Sequence, residues 1–319
     1  MGVNLRDLFP PHPVSDGWYA GKRIAVDGHN VSFRYLTSIR GRDGDMLRNR
    51  DGRVTGHLYG LVGLVRQLRA RGAEPIVVWD GEVHPRKQAT VAERIRKREA
   101  ALSTAEAAKA AGDHAEYARL MRGTVYLTQS MIEDASRLLE SVGVAVARAD
   151  HDGERYAAAL CLAGHADAVA SEDFDALVAG APAVLRKAGG QDTFLLRLQD
   201  MAGHGLDQAR LRHVAIFCGT DWHPGIKGFG PKTAVRAVRD HPDLQVLFEE
   251  ASRDGGASRL HHLVARSGMT WDEFADLDAF IAALPDPAAP RPPRPCPEMA
   301  AAVAEEMQIA PDRVLACFC

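Results

Sequence analysis

The sequence predicts an α/β fold in which a mostly parallel central sheet is flanked by helices. Short runs rich in Val, Ile and Ala, of the kind found in buried parallel strands, recur up to Arg186. Amphipathic helical patterns separate them, and this alternation is typical of a parallel sheet. A long charged insert and a glycine-rich turn between two helical patterns add an arch and a hairpin region to this core.

The strands and helices of the core follow from these patterns in chain order. The predicted strands are Arg23–Asp27, Pro75–Asp80, Gly143–Arg148, Asp167–Ser171 and Ala183–Arg186. The predicted helices between them are His57–Arg71, Val125–Val142 and Glu154–Ala163. Residues 1–242 are expected to form the core, with the insert and the hairpin region as parts of it.

The insert, about residues 82–122, is rich in Ala, Glu, Lys and Arg, which favour helix. It has no continuous apolar face that would bury it, so we expect an exposed helical arch or lid. Within it, the run RKQATVAERIRKR from Arg86 to Arg98 has six basic side chains against one acidic one. Such a run forms a local basic patch.

The character of the chain changes after Leu211. Residues 213–240 predict a helix, a glycine-rich turn and a second helix. Residues 243–319 predict a helical C-terminal region, interrupted at 285–297 by the proline-rich stretch PDPAAPRPPRPCP, which predicts a loop or an extended linker.

Composition excludes several classes of protein. The 319 residues are 46% apolar and 25% charged, and no apolar run reaches the roughly 20 residues that a membrane span needs. The N-terminus lacks the apolar core of a signal peptide, and five scattered cysteines predict neither a disulfide framework nor a zinc ribbon. We therefore expect an intracellular protein, in the cytoplasm or nucleoid, and a monomer. Its net charge of −3 does not itself indicate nucleic-acid binding, because acidic and basic sites cancel in the sum.

Acidic residues follow the predicted strands. Asp27 and Asp80 end two of them, the pair Asp152 and Glu154 follows a third, and the pair Asp173 and Asp175 follows a fourth. Ligands of open α/β sheets bind beyond the carboxyl ends of the strands, so six acids are expected at one edge. Asp221, before the glycine-rich turn, is a candidate seventh. The alternative interpretation, that each acid is a surface cap, explains any one of them better than it explains the joint pattern.

So many carboxylates share a cleft in the ionised state only when cations neutralise them. A set of oxygen ligands without Cys, and without His at ligand spacing, favours Mg²⁺, with Mn²⁺ as the second choice. Two such ions can activate a water and stabilise the leaving oxygen of a phosphodiester. The pattern therefore predicts two-metal phosphodiester hydrolysis.

Two further motifs favour a phosphate ligand. Lys87 and Arg94 are seven residues apart, on one helix face just beyond Asp80, where they could position the scissile phosphate. The run GIKGFGPKTAV, residues 225–235, resembles the turn of a helix-hairpin-helix motif, in which glycines and a helix N-terminus approach a DNA phosphate. The alternatives are a solvated helix face for the first motif and an ordinary tight turn for the second.

Taken together, the motifs resemble the flap endonuclease family of XPG-type structure-specific 5′ nucleases, in its archaeal and eukaryotic form. The blocks that carry the resemblance follow the family's order over nearly the whole chain: MGVNLRDLFP, IAVDGHNVSFRYLTSIR, VVWDGEVHPRK, DHDGERYAAAL, ASEDFDAL and CGTDWHPGIKGFGPKTAV. The resemblance implies a PIN-like nuclease core. It also implies that 5′ single strands pass under the arch and are cut near the junction with duplex.

The resemblance also implies roles for individual residues. The family's metal carboxylates correspond to Asp27, Asp80, Asp152, Glu154, Asp173, Asp175 and Asp221, and its catalytic basic pair to Lys87 and Arg94. The implied DNA contacts are Gly2, Phe33, which takes the place of a stacking aromatic, Arg40, and the hairpin residues Gly219, Gly228, Gly230, Lys232 and Thr233.

The chain departs from the family pattern at several positions. Asp152 replaces a Glu, Gly28 is followed by an unusual His29 and Asn30, and Leu64 occupies the place of a second DNA-contacting arginine. Gly225 replaces a serine that helps to hold a potassium ion, so a potassium ion is expected at the hairpin only if backbone carbonyls suffice to hold it. The ending VLACFC lacks the family's clamp-binding tail, so either no sliding clamp is bound by that route or this sequence stops short of the tail.

The predicted function is a flap endonuclease with 5′ exonuclease activity that acts in DNA replication and repair. The alternatives are a sibling nuclease for gaps, bubbles, four-way junctions or RNA, a catalytically silent junction-binding module, and a phosphatase for small substrates. A binding module gains nothing from an acidic cluster that repels DNA phosphate. A phosphatase would need neither the basic arch nor the glycine hairpin.

Overall fold

A single seven-stranded sheet lies at the centre of the part of the chain that the computed structural model describes, residues 5–41, 43–254 and 258–318. Its strands are β1 His12–Pro13, β2 Arg23–Asp27, β3 Glu74–Trp79, β4 Ala145–Arg148, β5 Ala168–Ala170, β6 Ala183–Arg186 and β7 Phe194–Arg197. They pair in the order β1-β7-β6-β5-β2-β3-β4. The pairs among β4, β3, β2, β5 and β6 are parallel, whereas β7 is antiparallel to both β6 and β1. The predicted mostly parallel sheet is confirmed.

Helices cover both faces of the sheet and continue through the C-terminal region. They are α1 Gly28–Ser38, α2 Gly56–Ala70, α3 Gln88–Ala110, α4 His114–Met121, α5 Gln129–Ser141, α6 Gly153–Leu162, α7 Asp175–Val178, α8 Gln208–Cys218, α9 Pro231–Asp240, α10 Leu244–Asp254, α11 Arg259–Ser267, α12 Trp271–Ala282, α13 Pro297–Glu306 and α14 Pro311–Leu315. None of the described helices is long and apolar enough to cross a membrane.

Alternate residues of the strands feed two hydrophobic cores. In β2, Ile24 and Val26 pack with α1, α2 and α5, while Ala25 packs on the opposite face with α6 to α9. Both faces are therefore covered, which explains why the strands are continuous apolar runs rather than alternating ones.

Some boundaries differ from the predicted ones for local reasons. Helix α5 begins after Thr128, whose hydroxyl accepts a hydrogen bond from the Met131 N–H, so residues 125–127, which the prediction included, lie outside the helix. Asp207 caps α8 in the same way, and that helix begins before residue 213. The strands β1 and β7 were not predicted; β1 has only two residues, too few for a periodicity to be recognised.

The insert is helical and exposed, as predicted. Helices α3 and α4 pack mainly against each other, and Ala105 is the buried residue of α3. At its base, a short turn at Pro85–Lys87 leads from β3 into α3. The arch is thus joined to the sheet directly beside Asp80.

The C-terminal region is divided between the two faces of the sheet. Helices α10 to α12 add to the core that contains α8 and α9, whereas α13 and α14 pack against α5 and α2 on the other face. The proline-rich stretch between them has no helix or strand up to Cys296, as predicted, and Cys296 N–H donates to the Ser141 carbonyl. The chain therefore passes from one face of the sheet to the other along this proline-rich stretch.

Candidate active site

The seven predicted carboxylates, from five neighbouring segments, line one cavity of about 190 Å³ at the carboxyl edge of the sheet, together with Glu82. Asp27 ends β2 and Asp80 directly follows β3. The other five stand at helix ends or in the loops beside them: Asp152 and Glu154 at the start of α6, Asp173 and Asp175 at the start of α7, and Asp221 after α8. The structure thus brings together every acid that the strand-end pattern indicates.

Hydrogen bonds hold the carboxylates at the start of α1. Asp27 Oδ1 accepts from the Asn30 N–H at 3.0 Å, which caps the helix, and Asp27 Oδ2 accepts from the Ser171 hydroxyl at 3.1 Å. The Asn30 side chain donates to Asp173 Oδ2 at 2.8 Å and accepts from the Glu172 N–H at 2.7 Å. Asn30 therefore fixes Asp27, at the end of β2, relative to the loop that carries Glu172 and Asp173.

The neighbouring acid is fixed by a close backbone approach. Gly153 N–H donates to Asp80 Oδ1 at 2.7 Å, and a Cβ at Gly153 would lie 2.6 Å from that same oxygen. The N–H groups of Gly81 and Glu82 also donate to the His151 and Asp150 carbonyls, both at 2.8 Å. The end of β3 and the start of α6 are therefore locked together.

Burial and mutual repulsion raise the pKa values of several of these acids. Burial raises the pKa of Asp27 well above its usual range, and the charges of Asp80 and Glu154 add to this. Burial, together with Glu154, raises the pKa of Asp80 to about 7. Burial, with Glu154 and Asp173, also raises the pKa of Asp175 well above its usual range. The side chains around the cluster therefore do not neutralise its negative charge.

Two cations from the base of the arch partly neutralise the other end of the cluster. Lys87 Nζ lies 2.6 Å from Asp152 Oδ1 and 3.2 Å from Glu154 Oε1, and Arg94 makes two hydrogen bonds to Asp221, at 2.7 and 2.8 Å. Burial would lower the pKa of Lys87, but Glu154 and Asp152 raise it above its usual value. Burial would raise the pKa of Asp221, but Arg94 and Lys87 hold it below its usual value.

The donor set fits hard divalent cations. Asp152 Oδ2 is buried without a hydrogen-bond partner, and the raised pKa values show carboxylates that additional positive charge would stabilise. Among the described residues, no group of three acidic, His or Cys side chains has the spacing of a metal site. Lys87 Nζ lies within 3.8 Å of three of the carboxylates, Asp152, Glu154 and Asp221.

An aromatic and cationic cluster supports the site from the side of α12. Phe280 lies under the Arg155 guanidinium at 4.4 Å and near the rings of His84 at 4.7 Å and Trp222 at 5.6 Å. Arg155 donates to the carbonyls of Phe280 and Ala283 at the C-terminal end of α12 and is 3.9 Å from Asp152. The end of α12 thus contacts the base of the arch, α6 and the residue after Asp221.

His29 also lines the cavity, and its surroundings determine its protonation state and its tautomer. The Asp80 N–H donates to His29 Nδ1 at 3.1 Å, so the neutral ring has its hydrogen on Nε2. Burial, assisted by Arg148, lowers its pKa to about 4. His29 is therefore a neutral hydrogen-bond donor beside the carboxylates.

The predicted hairpin lies between α8 and α9. Gly219 has φ of 101°, and a Cβ there would lie 2.7 Å from the Pro224 carbonyl oxygen, so the turn needs glycine at this position. Gly228, Gly230 and Lys232 are exposed, and Thr233 is half-buried at the start of α9. Phe217 and Phe229 stack beneath the turn at 4.8 Å. The hairpin thus presents backbone N–H groups and a lysine to solvent.

The remaining predicted DNA contacts are placed differently from one another. Phe33 lines the cavity with 39% of its surface exposed. Arg40 is half-buried and donates to the carbonyls of Thr37 and Met121, so it ties the end of the arch to α1. Gly2 lies outside the described residues. The roles of all these residues remain predictions.

Sequence reasoning missed several residues that contact the cluster, namely His29 and Asn30 as functional groups, Ser171, Arg155 and Trp222. Asn30 had a recognisable signal, since it stands three positions after a strand-end Asp that caps a helix. Arg155 had a weaker one, as a charge in the otherwise apolar run of α6. Ser171 stands two positions before Asp173 and Trp222 directly follows Asp221, but neither residue belongs to a sequence pattern that would predict a role.

Two family models match the segments that build this cavity. The XPG N-terminal domain matches residues 10–101 and the XPG I-region matches residues 143–221. The first covers Asp27, Asp80 and the basic pair, and the second covers the remaining five acids. The unmatched interval, residues 102–142, holds the distal arch.

Individual relatives agree with this. Flap endonuclease 1 of Methanococcoides burtonii is 32% identical over 269 residues, which are 80% of each chain. The structure of flap endonuclease-1 from Methanococcus jannaschii superposes with a TM-score of 0.71 at 27% identity and covers 99% of this chain and 96% of that one. The catalytic core of Rad2 in complex with DNA substrate has a TM-score of 0.72 at 17% identity over 98% and 97% of the two chains, which shows a shared fold.

Proposed function

Because the chain belongs to the flap endonuclease family of XPG nucleases, we propose that it is a structure-specific 5′ flap endonuclease with 5′ exonuclease activity. It hydrolyses DNA phosphodiesters at the junction of single strand and duplex. The observation that carries this function is the convergence of seven carboxylates on one cavity beneath two cations of the arch. DNA replication and repair are the processes that produce such junctions.

The carboxylates would hold two divalent ions, Mg²⁺ in the first place and Mn²⁺ in the second. When bound, these ions supply positive charge for the attacking water and the leaving oxygen. Lys87 and Arg94 would release part of their contact with the acids and donate hydrogen bonds to the scissile phosphate. Water forms the new bond to phosphorus as the bond to the leaving sugar oxygen breaks.

Substrate orientation would come from two more sites. Phe33 at the mouth of the cavity offers an aromatic face to the nucleotide beside the scissile bond. The hairpin residues Gly219, Gly228, Gly230, Lys232 and Thr233 would hold the duplex backbone at a distance from the cut, without reading its sequence. Arg40 and Gly2 stay candidate contacts.

The test compares a 5′-labelled double-flap DNA with matched single-stranded, blunt duplex and four-way-junction controls, in Mg²⁺ or EDTA. We expect metal-dependent cutting close to the flap junction and slow cutting of the controls. Preference for the four-way junction would favour the sibling nuclease. Tight flap binding without cutting in Mg²⁺ or Mn²⁺ would favour a binding module.

A further inference from the structure

The inner side of the arch helix α3 has two adjacent rows of side chains with different chemistry. Lys87, Arg94 and Arg98 are spaced at i, i+7 and i+11, so they form a basic row. Val91, Ile95 and Leu102 are spaced at i, i+4 and i+11 and form an apolar row beside it. Few side chains of α3 are buried by the rest of the protein, so core packing does not account for the apolar row.

Contacts show which way the rows face. Lys87 and Arg94 reach the carboxylates, and Val91 lines the same cavity. Arg98 lies over the Tyr126 ring at 5.4 Å, and its Nε is buried without a hydrogen-bond partner. Ile95 lies one turn beyond Val91 along the row that leads away from the cavity.

Exposed apolar surface is concentrated at this mouth. Of the six large apolar side chains exposed in the described part of the chain, Phe33 and Val83 line the cavity, at 39% and 53% exposure, and Ile95, at 42%, lies on the arch one turn beyond Val91. The other three, Leu162, Val246 and Met299, lie on three separate helices. Exposed apolar groups beside a cavity lined by carboxylates and cations indicate a ligand that is charged in one part and apolar in another.

We infer that the apolar row, Val91 and Ile95 with Val83 at its foot, holds the unpaired nucleobases of the substrate while the basic row holds their phosphates. A single strand has this same division, with charge along its backbone and flat apolar faces on its bases. The inference rests on the proposed function for the identity of the strand, and it adds that the arch recognises bases as well as charge. Because Val and Ile offer no base-specific hydrogen bonds, the contact tolerates any sequence.

The experiment combines one substitution in the protein with one modification of the DNA. Wild-type protein and Ile95→Ser are compared on a normal flap and on a flap whose first three unpaired nucleotides are abasic. Dissociation constants are measured in EDTA, and single-turnover cutting is measured in Mg²⁺. Leu162→Ser, at 61% exposure on α6, is the matched control for loss of an exposed apolar group.

We expect Ile95→Ser to weaken binding of the normal flap about fivefold, the effect of exposing part of an aliphatic side chain. Binding of the abasic flap should not weaken further, because the partner of Ile95 is already missing. Leu162→Ser should bind both flaps like the wild type. Equal losses on the two flaps, or no loss on either, would overturn the inference. Base-dependent binding without any cutting would support the apolar row while removing the proposed nuclease function.

Discussion

The carboxylate edge of the sheet and the base of the arch face each other across one cavity, but they are held in place by different means. The acids are buried or half-buried and are fixed by backbone N–H groups, by Asn30 and by the pairing of Gly81 with His151. The arch base contacts them through side chains, namely the ion pairs of Lys87 and Arg94 and a hydrogen bond from Thr90 to the Asp221 carbonyl. The rigid side suits ion binding, whereas the loosely attached side can yield to a substrate.

The largest effect is expected from the rigid side. Asp173→Asn removes a charge from the proposed metal cluster and should abolish cutting, because the ions that it helps to hold supply the chemistry. Flap binding should change little, because DNA phosphates gain nothing from an acid. Single-turnover rates and dissociation constants on the same double-flap DNA test this, and weakened binding with a normal cutting rate would contradict the assignment.

The arch side should affect the chemical step by a smaller factor. Lys87→Ala removes one charged donor to the scissile phosphate and should lower the single-turnover rate about 100-fold at unchanged flap affinity. Lys97→Ala, on the same helix but paired with Glu93 on its outer side, is the matched control. An unchanged cutting rate in Lys87→Ala would refute its role.

An intermediate effect would show whether fixation of the acids matters in itself. Asn30→Ala removes the link between the segments of Asp27 and Asp173 but leaves all the carboxylates in place. We expect cutting to slow about 10-fold and more Mg²⁺ to be needed for half-maximal rate, as for other groups that orient metal ligands. Asn30→Asp would keep the size but lose the donor to Asp173. If Asn30→Ala behaves like the wild type at every Mg²⁺ concentration, the rigid side does not depend on this link.

The smallest effect concerns the scaffold beneath both sides. His57 is buried between α2 and α5, its Nε2–H donates to the Met131 carbonyl, and burial lowers its pKa to about 4. The unfolded chain, in which the pKa is near 6.5, therefore binds more protons between these pH values, so stability falls as the pH drops below 6.5. The loss should be about 2 kcal/mol between pH 7.5 and 5. Urea unfolding of the wild type and of His57→Gln measures it, and a His57→Gln variant with the same pH dependence would assign the titration elsewhere.

The sequence predicts local features of the molecule better than contacts between distant segments. The sheet and the acids at its edge were predictable, because a buried strand ending in Asp is a local pattern and parallel strands end on the same side. The arch was predictable as an exposed helix for lack of an apolar face. The contact of Arg155 with the end of α12 was not predictable, since it joins residues about 125 positions apart and depends on how helices pack. The route of the C-terminal region, with α13 and α14 on the face opposite α12, left no signal in composition either.

That route has a consequence for folding. Arg69 of α2 donates to the Cys317 carbonyl, and Asn49 donates to the Met307 carbonyl, so the inner layer formed early in the chain is completed by residues about 250 positions later. Contacts of such large sequence separation form slowly, because loop closure precedes any gain from packing. During synthesis, the apolar surface that α13 and α14 cover stays open until the residues of these two helices, beyond position 296, have left the ribosome. An intermediate that lacks them exposes this surface and is prone to aggregate.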